Sequence, residues 1–501
     1  MTRTHRWIAA ALTAALLAGQ ALAQDPAPVT GGTVTVAISA DPPGWDPTLS
    51  TSQEIARVTY GNVYEGLVRF DRDGAIVPAL ATAWQVSSDG LAWTFTLREG
   101  VRFHDGSPLT VDDVLAKFER ARDPDSGHVN TGYYAAVVDV RAPDERTIVF
   151  ELDTPSRSLL YNLARPDAIV YPQSLAETQR SRPVGTGPFV FARYVEGSEV
   201  RLERFDGYWN PELPYLDGAT FRIIGDANAR VAALQAGDVD YVGAAIPPEL
   251  VRVLQANPAL KIASGTATAE ITVAMNNARA PFDDPRVRQA ITHAIDKDVI
   301  VEGAFFGLGT VIGTHMSPSE AYYVDLSDTY PYDPERARAL LAEAGYAGGL
   351  SFDFELPEPY AIERRTGEII AQQLRDVGIT VNLSVVEWGT WIQRIFLAAD
   401  YDMTIIGHSE PRDINVYANP NYYYQYDNPR IAELLAQAEA APTADAETAA
   451  FQEIARVIAE DAVNVWVFSP ANTVAVRADV YGFWVDQPTP ALDLTRVYRA
   501  P

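Results

Sequence analysis

No cysteine occurs in the 501 residues, so disulfides, thiolate nucleophiles and cysteine-ligated metals are all excluded. Histidine is nearly as scarce. Past the N-terminal segment only His104, His128, His293, His315 and His408 remain, and none stands three or four residues from another. That spacing offers no zinc or nickel cage, and the expectation is a protein without a metal centre or cofactor. A G-x-S-x-G elbow is missing, which removes the serine-hydrolase signature. Internal repeats and low-complexity tracts are missing too. Positive charge is in deficit: 39 Lys and Arg oppose 66 Asp and Glu, for a formal charge of −27. Such a surface repels nucleic acid and anionic membranes and favours solubility.

What is present begins with a leader. Arg3 and Arg6 precede an apolar run from Trp7 to Leu17, and Ala21-Leu22-Ala23 closes it. This is the pattern of a secretory signal peptide cut before Gln24, residues 1–23. The run is shorter than the roughly 20 residues of a spanning helix, and no cysteine follows to carry a lipid. The expected location is therefore the periplasm, free in solution. What remains is too long for one compact core, since domains usually hold ~100–200 residues. Two lobes are expected.

Strands and helices alternate along the chain. GGTVTVAIS, LAWTFTLREGVRF, ERTIVFELD, EVRLERF and ATFRII show the period-two alternation of strands, with Trp93, Phe95 and Leu97 on one face. In DDPRVRQAITHAIDKDVIV, Val287, Ala290, Ile291, Ala294 and Ile295 form a helical stripe, with Asp284 as N-cap and Pro285 in the first turn. DPERARALLAEAGY repeats the device with Asp333 and Pro334, and Gly345 ends it. GEIIAQQLRDVGITVNLSVVEW reads as a helix followed by a strand. The stretch from Gln437 to Glu447 reads as the junction of two exposed helices. The fold class is α/β with mixed sheets.

RFHDGSPLTVDDV, residues 102–114, has the composition of a catalytic centre, yet each acid has a local task. Thr110 precedes the helical pattern Val111, Val114, Leu115, Phe118, so Asp113 is its capping-box partner and Asp112 sits favourably in the first turn. Asp105-Gly106 supplies a turn. PVGTGPF, residues 183–189, lacks the Lys-Ser/Thr tail and following helix of a phosphate loop, and reads as a turn. A secreted hydrolase would need a nucleophile–base or carboxylate pair, and none can be placed. The chain is not expected to be an enzyme.

WQVSSDGLAWTFTLREGVRFHDGSPLTVDDVLAKFER resembles the signature of the extracellular solute-binding proteins of family 5, the dipeptide, oligopeptide and nickel receptors of ABC importers. YEGL (64–67), GTGPF (185–189), YWN (208–210), AGDVD (236–240), MNN with FDDPRVRQAITHAID (275–296), DPERARALLAEAGY and VEWGTW continue the resemblance in order. The resemblance implies a two-lobed Venus flytrap. Lobe I would comprise residues 30–268, with an inserted subdomain at about 60–188, and a C-terminal return at 477–501. Lobe II would comprise residues 269–476. Closure would be a hinge motion around a small-molecule or peptide ligand, delivered to the permease subunits of an ABC transporter by a monomer.

The resemblance also implies pocket residues. Peptide-binding relatives hold the ligand ammonium with the aspartate of a Trp-x-x-Asp stretch; here His408 stands at the Trp, Pro411 falls near the aspartate, and Asp413 follows. The arginine that clamps a dipeptide carboxylate corresponds to Glu358 in LPEPYAIERRTGE. Trp388 aligns with a pocket tryptophan, Thr51 and Ser52 with a ligand-touching loop, and Tyr134 or its neighbour Tyr133 with a subdomain contact. The aromatic run from Tyr417 to Tyr426 either lines the pocket or packs onto lobe II. The two altered positions leave open a peptide ligand or a non-peptide one: an oligosaccharide, a cationic or opine-like compound, or a nickel chelate.

Overall fold

The computed structural model describes residues 25–243, 246–410 and 412–500; the leader lies outside the described residues. The alternating segments form strands at Thr33–Ile38, Ala92–Leu97, Thr147–Leu152, Glu199–Arg204 and Gly218–Ile223. In Ala92–Leu97 the three large residues Trp93, Phe95 and Leu97 are buried, while Thr94 and Thr96 between them are half-buried. The helices begin where caps were expected. Asp284 accepts from Arg286 N at the start of Pro285–His293, and Asp333 accepts from Arg336 N at the start of Pro334–Glu343.

A twelve-stranded mixed sheet runs through both lobes. Its central member is the 14-residue strand Asn464–Arg477. The first part pairs antiparallel with Glu270–Met275, register Val273↔Val465. The second part pairs with Leu260–Thr266 and Tyr241–Val242, register Ile262↔Ala475 and Tyr241↔Val476. The partner changes around Pro470, which has no N–H to donate to a ladder. Residues 267–269 and 469–471 are thus two neighbouring crossings between lobes. On one side, strands 33–38 and 218–223 pair in parallel over a core that Leu492, Leu494 and Val497 of the returning chain complete. On the other side, Leu350–Pro357 and Ile379–Val386 pair in parallel, joined by helix Ala361–Asp376.

A separate four-stranded antiparallel sheet, in the spatial order 81–86, 92–97, 147–152 and 137–144, carries helix Val111–Arg122 and its own core. Asp113 caps that helix: its carboxylate accepts from Thr110 N at 3.0 Å and Thr110 Oγ1 at 2.8 Å, and its second oxygen accepts from Gln173 N at 3.0 Å. The junction after Gln437 departs from the sequence reading. Helices Pro429–Glu439 and Ala444–Glu460 are not simply exposed, because Ile431 and Leu434 of the first and Phe451, Ile454 and Ile458 of the second are buried.

His104 has a structural task as well. Its Nε2–H donates to Gly187 O at 2.9 Å, and its Nδ1 accepts from Gly185 N at 3.3 Å, so the neutral ring ties down the GTGPF loop. Burial lowers its pKa to about 4, below the ordinary 6.5. Between pH 6.5 and 4 the unfolded chain therefore binds a proton that the folded chain does not, and stability falls as pH falls through that window. Full expression of the shift is worth about 3 kcal/mol. His104→Gln should lower the slope of unfolding free energy against pH between 6.5 and 4 by close to one proton, measured by urea denaturation. An unchanged slope would mean the ring is protonated in the folded state.

Candidate functional site

A cleft of about 1240 Å³ opens between the lobes. One wall consists of the loop before helix Gln53–Thr59, the turn around Thr131–Tyr134, and the segment Thr154–Asp167. The opposite wall is the loop Ser409–Val416 after strand Met403–His408, together with Ala436, Glu439 and Ala440 at the end of helix Pro429–Glu439. The crossing residues Thr266–Ala269 and the returning chain Trp484–Leu492 close the back. This volume exceeds that of common small-molecule sites, roughly 300–1,000 Å³, and leaves room for a ligand of a few residues.

Charge is distributed across the opening. Arg165 stands on the subdomain wall, 3.4 Å from Asp167, with its guanidinium 4.6 Å from the Tyr133 ring. Burial works against the Arg165 charge, but Asp167, Tyr133, Tyr161 and the facing Glu410 outweigh it and raise its pKa. Glu410 and Asp413 line the other wall. Arg412 between them turns inward in the left-handed conformation, φ 60°. Its guanidinium donates to Glu447 at 2.8 Å and stacks 4.4 Å over Tyr161 of the opposite wall, while its backbone N–H donates to Glu320 at 3.0 Å.

The lobes also touch beside the cleft. Glu439 accepts from Ser156 Oγ at 3.0 Å, Ser158 N at 3.1 Å and Ser158 Oγ, and Arg157 Nε donates to Glu447 at 2.9 Å. The junction between two helices, featureless in the sequence, is thus where lobe II holds the subdomain.

Behind Asp413 lies a polar cluster. His408 Nδ1 stands 2.7 Å and His315 Nε2 3.2 Å from the same Asp413 oxygen, Oδ2. His408 Nε2 faces the hydroxyls of Tyr424 at 2.8 Å and Tyr423 at 2.9 Å. His315 Nδ1 faces Tyr417 Oη at 3.1 Å and Trp466 Nε1 at 3.3 Å. Burial alone would push Asp413 up, but the hydrogen bonds from His315 and His408 hold its carboxyl below the ordinary range.

The residues singled out in the sequence fall in different places. Thr51, Ser52 and Asp413 line the cleft, and His408 supports Asp413 from behind. Tyr133 lines it, whereas Tyr134 is 2% exposed and packs against Phe118 in the subdomain core. Trp388 stacks on Trp391 at 5.0 Å and is not among the lining residues. Glu358 is exposed away from the cleft, its backbone bonded to Val386 O and Arg364. Tyr417, Tyr423 and Tyr424 are at most 2% exposed, so this part of the aromatic run is packing. Arg165, Glu410, Arg412 and His315 were not picked out by sequence. The charged run SEPRD between apolar and aromatic segments is the signal that points to two of them.

The pattern of the bacterial extracellular solute-binding proteins, family 5 (middle region), matches residues 75–430. The glutathione-binding protein GsiB of Pectobacterium atrosepticum is 35% identical over 395 residues, 78% of this chain and 75% of that one. Its counterpart from Salmonella typhi is 32% identical over 77% of this chain and 74% of that one. Among solved structures, the binding protein AgaA from Agrobacterium tumefaciens R10 in complex with agropinic acid superposes with a TM-score of 0.74 at 27% identity, covering 94% of this chain and 99% of that one. The periplasmic binding protein DppA from Helicobacter pylori in complex with the peptide STSA gives 0.75 at 26% identity, covering 94% and 99%. These are binding proteins of two lobes, as is the molecule described above. The chain belongs to the bacterial extracellular solute-binding proteins of family 5, which bind a solute and work with ABC permeases.

Proposed function

We propose that this protein captures a short peptide, or a solute with the same spacing of ammonium and carboxylate groups, in the periplasm and delivers it to an inner-membrane permease. The observation that carries this reading is the charge arrangement of the cleft: Arg165 on one wall faces Glu410 and Asp413 on the other. A zwitterion spanning the gap satisfies both walls at once, so binding it stabilises the closed form, which is what couples capture to delivery. Glutathione and the peptide STSA, bound by similar proteins, both carry such groups.

In this reading residues 1–23 are a cleaved export signal and the protein acts as a monomer without catalysing a reaction. The lobes are 30–268 with the return 477–501, and 269–476; the pairing of 471–477 with Leu260–Thr266 supports starting the return earlier, at the crossing 469–471. Thr51, Ser52, Tyr133, Arg165, Glu410 and Asp413 are the proposed contacts. An opine-like solute is the second reading, favoured by the superposition on the agropinic acid complex.

Native mass spectrometry of protein purified from a periplasmic extract, followed by release of the bound molecule, tests the reading. A peptide or glutathione-like ligand is expected, and Arg165→Ala and Glu410→Gln should each weaken it by roughly 10- to 100-fold, one charge-assisted contact apiece. A released sugar, or unchanged affinity in both variants, would overturn the zwitterion reading.

A further inference from the structure

We propose that His315, His408 and Asp413 form a site for one divalent cation of the zinc class, set in the wall of the cleft. The proposal shares Asp413 with the solute contacts proposed above: a cation there takes the place of the ammonium group as that carboxylate's partner, and leaves Arg165 and Glu410 to the solute. Three donor atoms from three separate segments converge: His315 from the stretch after strand Gly309–Val311, His408 from the end of strand Met403–His408, and Asp413 from the turn that follows. His315 Nε2, His408 Nδ1 and an Asp413 carboxylate oxygen all lie within 4.8 Å of one another. The two nitrogens stand 3.2 and 2.7 Å from Oδ2. Ligand atoms around a tetrahedral cation with bonds of ~2.0–2.2 Å stand about 3.3–3.6 Å apart, so a cation gathers donors that already lie within 4.8 Å of one another.

The surroundings are those of ligating imidazoles, whose remote nitrogens need an acceptor to fix the tautomer. In the hydrogen-bonded network each ring directs its N–H at Asp413. With a cation in that place, the proton of each ring resides on the far nitrogen. His408 Nε2–H then donates to Tyr424 Oη, now at 2.8 Å. His315 Nδ1–H has Tyr417 Oη at 3.1 Å and Glu270 Oε2 at 3.8 Å. Glu270 is 4% exposed, and this Oε2 is a buried oxygen with no hydrogen-bond partner. It has no partner in the hydrogen-bonded network, and the ligating tautomer of His315 presents an N–H on that side. Trp466 Nε1–H, displaced from Nδ1, keeps Tyr417 Oη at 3.2 Å.

Two imidazoles and one carboxylate select zinc, cobalt, nickel or copper over calcium and magnesium, which prefer all-oxygen sets. Asp413 lines the cleft and the two histidines stand behind it, which sets the site in the cleft wall.

The test uses the chelator-treated mature protein, titrated with Co²⁺ and followed by visible absorption, and with Zn²⁺ by calorimetry. Uptake of one cation per chain with a nitrogen–oxygen ligand spectrum is expected. His408→Ala should weaken Zn²⁺ binding at least roughly 100-fold and Glu270→Gln roughly 10-fold, the range for loss of a ligand and of its outer partner. His293→Ala, whose ring bonds Pro331 O elsewhere, should change nothing. No saturable single-site uptake, or equal uptake by wild type and His408→Ala, overturns the proposal. His315 is fully buried; if His315→Ala does not fold, the wild-type Co²⁺ spectrum and the His408 variant decide the question.

Discussion

Replacing Gly185 with alanine should destabilise the protein by about 3 kcal/mol, the upper end of what overpacking costs. The cause is close backbone approach. A Cβ at this position would stand 2.1 Å from Val63 O and 2.7 Å from Tyr64 Cδ1, and Val63 O is itself fixed as the acceptor of Gly187 N. Neither partner is the far end of a flexible side chain, so the loop must lift as a unit. Lifting it breaks the Gly185 N–H bond to His104 Nδ1 and the His104 N–H bond to Gly185 O. Gly348→Ala is the contrast: nothing lies within 4 Å of its Cβ position and its φ is not positive, so it should be silent. Thermal and urea denaturation of both variants measure the difference. A loss below about 1 kcal/mol for Gly185→Ala would mean the loop is far more compliant than its contacts imply.

The same contacts explain what RFHDGSP and GTGPF are for. Their histidine, acids and glycines resemble catalytic and phosphate-binding chemistry in composition, and each is accounted for by capping, turn formation and backbone packing. That much was legible in the sequence because caps and turns are local: Asp113 lies three residues from Thr110, and Asp284 one from Pro285. The strand faces were legible for the same reason, since Trp93, Phe95 and Leu97 alternate within one element.

The cleft was legible only in part. Thr51, Ser52 and Asp413 could be named by resemblance, but whether Tyr133 or Tyr134 faces the solute depends on the phase of the four-residue turn Thr131–Tyr134, too short to carry a period. The histidine pair was hidden. His315 and His408 have no helical spacing, and what joins them is the sheet: Gly309–Val311, just before His315, and Glu270–Met275 both pair with Asn464–Arg477, and Met403–His408 lies against Glu270–Met275, register Glu270↔His408. A spacing argument along the chain cannot see donors brought together across strands. Glu358 and Trp388, named by resemblance alone, stand outside the cleft: Glu358 is exposed just past strand Leu350–Pro357, and Trp388 is stacked on Trp391.

Glu439→Ala should open the lobes of the ligand-free protein. This carboxylate accepts three hydrogen bonds from the subdomain, from Ser156 Oγ, Ser158 N and Ser158 Oγ, and all three exist only while the lobes touch. A hydrogen bond to a charged group is worth roughly 1.5–3 kcal/mol, and solvent at the rim of the cleft screens part of it. A net loss of about 2–4 kcal/mol from the closed form changes the closed-to-open ratio by roughly 30- to 1000-fold. Arg157–Glu447 and the stack of Arg412 on Tyr161 remain across the gap, which argues for the lower end. The radius of gyration from X-ray scattering should rise in the variant, and the apparent solute affinity should fall by the factor by which the closed population falls, while the unfolding midpoint stays close to wild type because no core residue is touched. Ser158→Ala should act through the same bonds, so the double variant should show little more than Glu439→Ala alone. Unchanged scattering with unchanged affinity would show that solute contacts, and not this pair of helix ends, hold the lobes together.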